Sequence, residues 1–477
     1  PFTDVSSDIR PNSGTVEDYL TGDGGKGKVA QEMNFFLLRK LKEHQRIKEK
    51  TVYSLRTNGS DNAGHEVQVF VDGQWVEIAT HQLPVAVTQE GAVGIMSKGM
   101  LCHVTNLVTE IDHVSDKLGG RLWGELWIDQ NTVAVTDLHR SFEQFTNNLL
   151  GITGSTGSGI AQGYASFYEK RGITMRDFVS RDWENKFRQA YEFYAELVGG
   201  EEVLSKTSVK ALTKEGGRRD KLVGTQEEHI DELRSARTKL LPYVMDVAPT
   251  LEEIWKDPNK PITFEIGQGD GIDPYHGVYP DVTASRTIGR VNIPDATEGI
   301  VDYDAIAVTT GVLKIPYFTS VGSRVLPYSL PGEEAGMYEG ENKEWGRSTR
   351  RRRGAYPIDL EWIKYNQRVG KKKYIAYTHG DAAHSDIPAR VVTHYERRDT
   401  RERAHYRPYQ WYLNQVEGIV ESVPGWDGKK AGEAREIGEL PREALIYMRA
   451  VGETVDVPPL LVTNGAHPGK IIYFFNQ

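Results

Sequence analysis

The chain has 477 residues, with 58 basic and 67 acidic side chains and a net charge of −9, a balance that argues against a general nucleic-acid or membrane-surface binder. Its one cysteine, Cys102, excludes an intramolecular disulfide and a cysteine-based zinc site. A single cysteine suits a reducing cytoplasm, the expected compartment, and no run approaches the roughly 18 apolar residues of a membrane helix.

Residues 1–15 read as a polar arm without the apolar core of a signal peptide. Only Val16, Tyr19 and Leu20 offer a strand before Gly22–Lys28, and it would be short. From Val29 to Leu41, Met33, Phe36, Leu37 and Leu41 recur at helical spacing. Thr51–Leu55 reads as a strand, and Glu66–Val71 and Trp75–Ile78 flank Asp72-Gly73, a strong hairpin signal. Leu83–Val87 and Ala92–Ile95 read as strands, Met100–Lys117 as a helix, Arg121–Ile128 and Thr132–Val135 as extended.

A glycine- and serine-rich loop follows at Gly151–Gly163. Helices are predicted over Asp177–Val198 and Thr225–Val244, with a solvated, charged connection at Lys214–Lys221. Ile262–Ile266 is a strand that runs into Gly267–Gly271, and Ala305–Thr310 is another. The basic loop Asn342–Arg353 precedes a helix at Asp359–Val369, and the strand Tyr374–Tyr377 ends at Thr378-His-Gly-Asp381. Ala389–Arg407 reads as a charged hairpin or surface insertion, and Pro441–Val451 and Leu460–Thr463 as a last helix and strand. Strands alternate with helices, and several strands run into glycine-rich loops. That pattern predicts an α/β fold, with a mainly parallel central sheet, helices on both faces and ligand loops at the carboxyl edge.

The loop Gly22-Asp-Gly-Gly-Lys-Gly-Lys28 carries four glycines in seven residues. Such a backbone can turn tightly and bring its N–H groups to an anion, and the helix start behind it favours a phosphate. Lys26 and Lys28 add positive charge, and Asp23 can hold a metal ion or take a proton. The pattern nearly fits a P-loop, but Val29 stands where the magnesium-binding hydroxyl belongs.

Taken in order, the motifs resemble those of the adenylosuccinate synthetase family. Gly22–Lys28 stands where that family has Gly-Asp-Glu-Gly-Lys-Gly-Lys. Asn62-Ala-Gly-His65 matches its second motif, and His81-Gln-Leu-Pro84 is similar to its His-Leu-Ile-Pro. Gly154-Ser-Thr-Gly-Ser-Gly159 resembles its Gly-Thr-Thr-Gly-x-Gly loop. Gly267-Gln-Gly269, His276–Pro280, Val282–Ser285, Arg350–Arg353, Pro424–Trp426, Leu440-Pro441 and Thr463–Gly465 follow in the family's order. Each motif alone has a plainer reading: a surface turn, a structural histidine, a solvated run of arginines. The unbroken order over residues 16 to 475 lifts them together. The resemblance implies one large catalytic domain over residues 16–477, related to P-loop nucleotide-binding folds, with charged insertions near 205–231 and 395–409.

The resemblance also implies the reaction. A nucleoside triphosphate phosphorylates O6 of a purine nucleoside monophosphate, and the amine of L-aspartate then displaces phosphate at C6. Asp23 would take the N1 proton and, with Gly64, ligate Mg²⁺; His65 would stabilise the phosphoryl group in transfer. Lys26, Lys28, Gly22, Gly25, Gly27, Thr378, Asp381 and Gly465 would hold the triphosphate nucleotide. Gly24, Asn62, Thr156, Gln268 and Thr283 would position the acceptor. Ser348, Thr349, Arg350 and Arg352 would hold the aspartate, the arginines clamping its carboxylates. In this family an arginine from a second subunit reaches the acceptor phosphate; Lys170 or Arg171 stands at that position, so a homodimer is implied. Small-molecule substrates are expected, and neither nucleic acid nor membrane.

Several departures bear on substrate choice. Gly24 replaces the loop's glutamate and is expected to leave space beside the purine. Thr319-Ser-Val-Gly-Ser-Arg-Val-Leu-Pro327 keeps only part of a conserved-looking family segment, and His379 replaces the lysine that packs on the donor base, which opens the choice between GTP and ATP. A divergent phage branch of the family ligates aspartate to dGMP to make 2-aminoadenine nucleotides, and the second loop resembles that branch. The departures favour a guanine nucleotide over IMP as acceptor by a small margin.

Overall fold

The computed structural model describes residues 9–43, 51–151, 155–320, 322, 324–341, 353–465 and 467–474. Its centre is a ten-stranded sheet built from β1 (Arg10–Asp18), β2 (Val52–Arg56), β3 (Ala92–Met96), β4 (Glu125–Asp129), β5 (Val244–Met245), β6 (Ile262–Glu265), β7 (Ile306–Lys314), β8 (Tyr374–Thr378), β9 (Pro459–Thr463) and β10 (Ile471–Tyr473). The spatial order is β5-β4-β3-β2-β6-β1-β7-β8-β9-β10. Every neighbouring pair is parallel except β9 with β10. Parallel strands covered on both faces lose the in–out alternation of an exposed sheet, and all nine residues of β7 are buried. The expected α/β architecture is therefore present.

The strand ahead of the glycine loop is longer than its few apolar residues suggest. β1 takes in residues 10–15 of the stretch set aside as an arm and pairs with β6 and β7 at the middle of the sheet. Polar groups within it are satisfied inside: Thr15 donates to Glu17 (2.7 Å), which also accepts from the Tyr303 hydroxyl (2.7 Å). The helix α1 (Lys26–Glu43) begins at the loop itself and packs Val29, Met33 and Leu37 against Val16, Val308 and Val312. Val29 thus belongs to the core under the sheet.

Other boundaries shift for local reasons. Pro84 fixes a turn, so Leu83–Val87 gives a 3-10 helix at Val85–Thr88 in place of a strand. Leu101–His103 is extended before the helix Val104–Lys117 begins on the His103 cap. Asp177–Val198 splits into two helices, Met175–Val179, begun by a Thr174–Asp177 capping box, and Trp183–Val198, because Ser180 between them turns extended. The charged stretch Lys214–Lys221 is part of an antiparallel hairpin, Ser208–Leu212 with Arg218–Leu222. The helix expected over Thr225–Val244 stops at Leu240, where Pro242 follows. Arg121–Ile128 is regular only from Glu125.

Of the two readings for Ala389–Arg407, the hairpin is the one present: Ala389–Arg397 pairs antiparallel with Arg403–Ala404. The first of these is a strand of a second sheet, parallel to Gly354–Asp359 and antiparallel to Val416–Val423. Tyr395 from it is fully buried and donates to Asp359. This sheet, with the helix Leu360–Gly370, builds the largest apolar core around Trp362, Tyr377 and Trp426. No helix among the described residues is long and apolar enough to cross a membrane.

Candidate active site

Because the central strands are parallel, their carboxyl ends lie along one edge, and the loops after β1, β2, β6, β7, β8 and β9 emerge there. These loops carry Gly22–Lys28, Asn62–His65, Gly267–Gly269, Thr319, Thr378–Asp381 and Gly465. Gly22 has a φ of +95°, and a β-carbon on it would stand 2.6 Å from the Gln268 carbonyl carbon, so only glycine serves there. Lys26 is buried and donates to the backbone oxygens of Gly22 (3.3 Å) and Gln268. The first loop is thereby laced to the loop after β6. Burial lowers the pKa of Lys26, with Asp18 and Asp23 opposing.

Asp23 is held from three sides. Arg353 pairs with one carboxylate oxygen, Thr319 donates to the other, and Lys314 at the end of β7 adds a positive field. Burial by itself raises this carboxyl's pKa; the two cations and the Thr319 hydrogen bond outweigh it, and the net shift is downward. Asp23, Gly24, Lys314 and Thr319 line one cleft.

His65 is buried at the start of the strand His65–Val71, and its Nδ1 faces Glu265 Oε2 at 3.2 Å. Its Nε2 has no partner among the described residues. Burial drives its pKa down to about 4 against the pull of Glu265. Glu265 is itself anchored by Ser54 (3.1 Å) and the Val85 N–H (2.9 Å). The pair can present one imidazole nitrogen in a fixed direction, with a carboxylate behind it to stabilise a proton that an anionic ligand draws on.

Gln268 takes up a left-handed φ of +59°, a strained conformation for a side-chain-bearing residue. Its Oε1 accepts from Ser285 (3.1 Å) and Asn58 (3.3 Å), which leaves Nε2 buried and unpartnered among the described residues, close to Gly59. A buried donor without a partner is one that a ligand could meet. Asn62 accepts from the Ser60 N–H (3.1 Å), and Thr283 donates its N–H to Ile272 (2.8 Å).

A model of the adenylosuccinate synthetase family matches residues 21–472. The chain belongs to the adenylosuccinate synthetase family. It is accordingly a ligase that forms a carbon–nitrogen bond. Adenylosuccinate synthetases from Acidothermus cellulolyticus and Clostridium novyi are each 27% identical to it, covering 94% and 93% of this chain and 95% of each relative. Its fold is similar to a fully ligated adenylosuccinate synthetase from Plasmodium falciparum, with a TM-score of 0.82 at 21% identity, over 97% of this chain and 100% of that one. A succinoaminodeoxyadenylate synthetase of cyanophage S-2L, bound to dGMP and to dATP as energy donor, is more distant: TM-score 0.54 at 15% identity, over 98% of this chain and 96% of that one.

The remaining candidate residues lie between α1 and the loops after β8 and β9. Lys28 donates to the carbonyls of Gly465 (2.5 Å) and Lys470 (3.1 Å), and burial lowers its pKa to about 8. Thr378 donates to the Gly24 carbonyl (2.6 Å), tying the β8 end to the glycine loop. His379 has φ +59°, stands against Gly25 and, with its pKa lowered to about 3 by burial, is neutral at pH 7. Asp381 is exposed beside Gly465.

Two expectations change on inspection. Gly24 leaves no open space: a β-carbon there would overlap Asp18 Oδ2 and stand 3.1 Å from Val312 Cγ1. The loop's N–H groups are not all free for phosphate either, since Gly22 and Gly24 donate to Asp18. Gly25 and Gly27, at the start of α1, are the glycines that remain for an anion. Arg171 is engaged in its own chain by Glu169 (2.6 Å) and Tyr194 (2.7 Å), whereas the Lys170 side chain is exposed. Thr156 is exposed. Ser348, Thr349, Arg350 and Arg352 lie outside the described residues.

Four groups escaped the sequence reading. Arg353 is the last of the arginine run, and the family motif points to the earlier members Arg350 and Arg352. Lys314 lies beyond the point where the strand was expected to end. Glu265 and Asp18 left a readable trace, a carboxylate at the carboxyl end of an otherwise apolar or β-rich strand.

Mg²⁺ belongs with this family's chemistry, and the donor set fits it in kind. Asp23 offers a carboxylate and Gly64 an exposed backbone segment, while no cluster of three acidic, histidine or cysteine side chains among the described residues makes a preformed cage. Mg²⁺ is ordinarily held by one or two carboxylates plus substrate phosphates and water.

Proposed function

We propose that this protein condenses L-aspartate with C6 of a purine nucleoside monophosphate, using a nucleoside triphosphate to phosphorylate O6 first. The observation that carries the reading is the convergence of a carboxylate kept ionised, Asp23, with a carboxylate-backed imidazole, His65, on loops at one sheet edge. Hydroxyl at C6 is a poor leaving group, so the oxygen must become a phosphate ester before an amine can displace it. Asp23 takes the N1 proton, which makes O6 nucleophilic, and His65 places Nε2 toward the phosphoryl group. Gln268 Nε2 and Asn62 orient the acceptor, and Lys28 with the α1 N-terminus holds donor phosphate. Mg²⁺, held by Asp23 and the Gly64 carbonyl, would supply charge neutralisation at the phosphates.

IMP is the acceptor that best fits the filled space at Gly24. A second reading, a guanine nucleotide, draws support from the fold likeness to the cyanophage enzyme bound to dGMP and dATP, and from the Asp18 carboxylate, which lines the same cleft and accepts hydrogen bonds. The test is purified protein with Mg²⁺, L-aspartate, ATP or GTP, and IMP, GMP or dGMP in turn. A succinylated purine with at least one acceptor is expected; none with any acceptor sinks the ligase reading, and the acceptor used decides between the two.

The acting form is a homodimer in this proposal. Leu149, Leu150, Phe167 and Tyr168 are exposed at the ends of two adjacent helices, next to Lys170. An apolar patch beside an unengaged cation suits a second copy of the chain. Light scattering that gives only monomer at assay concentration overturns this part.

A further inference from the structure

Gly24 is glycine for a reason that its backbone does not supply. Its φ lies outside the left-handed region, so any residue fits the chain path there. What blocks a side chain is Asp18. This carboxylate, 3% exposed, reaches from the end of β1 into the loop: Oδ1 accepts from the N–H groups of Leu20 (2.9 Å) and Gly22 (3.1 Å), Oδ2 from that of Gly24 (2.8 Å). Lys26 Nζ stands 3.8 Å from Oδ2. A β-carbon on residue 24 would stand too close to Oδ2 for either to stay. Any side chain at position 24, the motif's glutamate included, therefore contends with the Asp18 carboxylate for space.

We propose that Asp18 is the positioning residue of the catalytic loop, delivering from β1 the carboxylate that the chain lacks at position 24. The inference rests on the ligase reading and deepens it. Three N–H groups donating to one carboxylate fix the turn from Leu20 to Gly24 and so fix where Asp23 points. The same carboxylate is the near counter-charge of Lys26, which joins the loop to Gln268. Losing the charge leaves loop N–H groups facing an amide or a void in a buried place.

The exchange is testable because it is reciprocal. D18N should lower kcat by about 10- to 100-fold with a smaller change in KM for either nucleotide, the loss expected for a charge-assisted hydrogen-bond network. G24E alone should lose at least about tenfold, since two carboxylates then contend for one position. D18A/G24E should be more active than either G24E or D18A, and that rescue is a result a merely structural Asp18 would not give. D18N within twofold of wild-type kcat overturns the proposal. So does a D18A/G24E protein no better than its single variants while thermal melts show all of them folded. Wild-type turnover separates the two readings: its absence overturns the ligase reading, whereas an active wild type with an unimpaired D18N overturns the exchange alone.

Discussion

Arg353 pairs with one oxygen of the Asp23 carboxylate while Thr319 donates to the other. Together with Lys314, the pairing keeps ionised the carboxylate proposed to take the acceptor's N1 proton. Replacing Arg353 by alanine removes a cation and raises the Asp23 pKa, so the acid limb of the kcat/KM profile should move to higher pH. K314M should move it in the same direction, since Lys314 is the other cation that holds this carboxyl down. D23N should cost about 10²- to 10⁴-fold in kcat, the range for a lost general base. Because this carboxyl titrates below its ordinary value of 3.8 in the wild type, initial rates from about pH 3 to 9 check all three, and an unmoved acid limb in both cation variants would show that Asp23 does not set it.

Glu265 and His65 make the second pair. With the Nδ1 side of the ring against a carboxylate, Nε2 is the nitrogen left for a ligand, and the ring cannot turn without losing a buried charge-assisted contact. E265Q keeps the shape and removes the charge. It should lower kcat by about 10- to 100-fold, the cost of one hydrogen bond to a charged group, with KM for aspartate unchanged. Steady-state kinetics decide it; a rise in aspartate KM at constant kcat would place Glu265 in aspartate binding.

Much of this architecture was legible because strand–loop–helix punctuation is local. The strands at Val52, Ala92, Ile262 and Tyr374 announce themselves by short apolar runs that end in glycine or polar clusters, and the sheet's carboxyl edge follows from their alternation with helices. β1 was not legible beyond Val16, because Ser13, Thr15 and Glu17 look like surface residues until their buried partners Tyr303 and Gly289 arrive from nearly 300 residues away. Asp23, His65 and Gln268 could be found from short motifs. Lys314 and Glu265 could not be assigned roles, since each acts on a side chain that only the tertiary fold brings to it, and Asp18 could not because it acts on the backbone N–H groups of its own turn, which no motif spells out.

Acid should destabilise the fold ahead of neutral conditions. His65, His139 and His229 are buried, and burial depresses their pKa values to about 4, 3 and 4. Each folded value lies below the unfolded one near 6.5, so the unfolded chain binds the extra protons. The stability these groups contribute is complete above about pH 6.5 and drains away as pH falls toward the folded values, by about 2 kcal/mol per histidine at pH 5. His229 has neither ring nitrogen hydrogen-bonded among the described residues, which makes it the cleanest probe. H229L should flatten the decline between pH 7 and 5 while leaving turnover intact. Urea melts at several pH values measure it, and an unchanged slope would remove His229 from the account.

Donor choice should turn on His379. The residue stands against Gly25 of the glycine loop, is neutral at pH 7, and follows Thr378, whose hydroxyl is committed to the Gly24 carbonyl. A neutral imidazole offers a base neither the long apolar stem nor the charge of a lysine. Asp381, two residues on, can accept from N1 and N2 of guanine but has no such pair to meet on adenine. H379K keeps the left-handed backbone cost that histidine already bears and leaves Thr378 in place. It should therefore shift the ratio of kcat/KM for GTP over ATP upward by about tenfold, the worth of roughly 1.4 kcal/mol of base contact. Competing the two donors in one reaction gives the ratio directly. A ratio that stays where the wild type has it would mean that this loop does not read the base, and D381N would then be expected to leave the ratio unchanged as well.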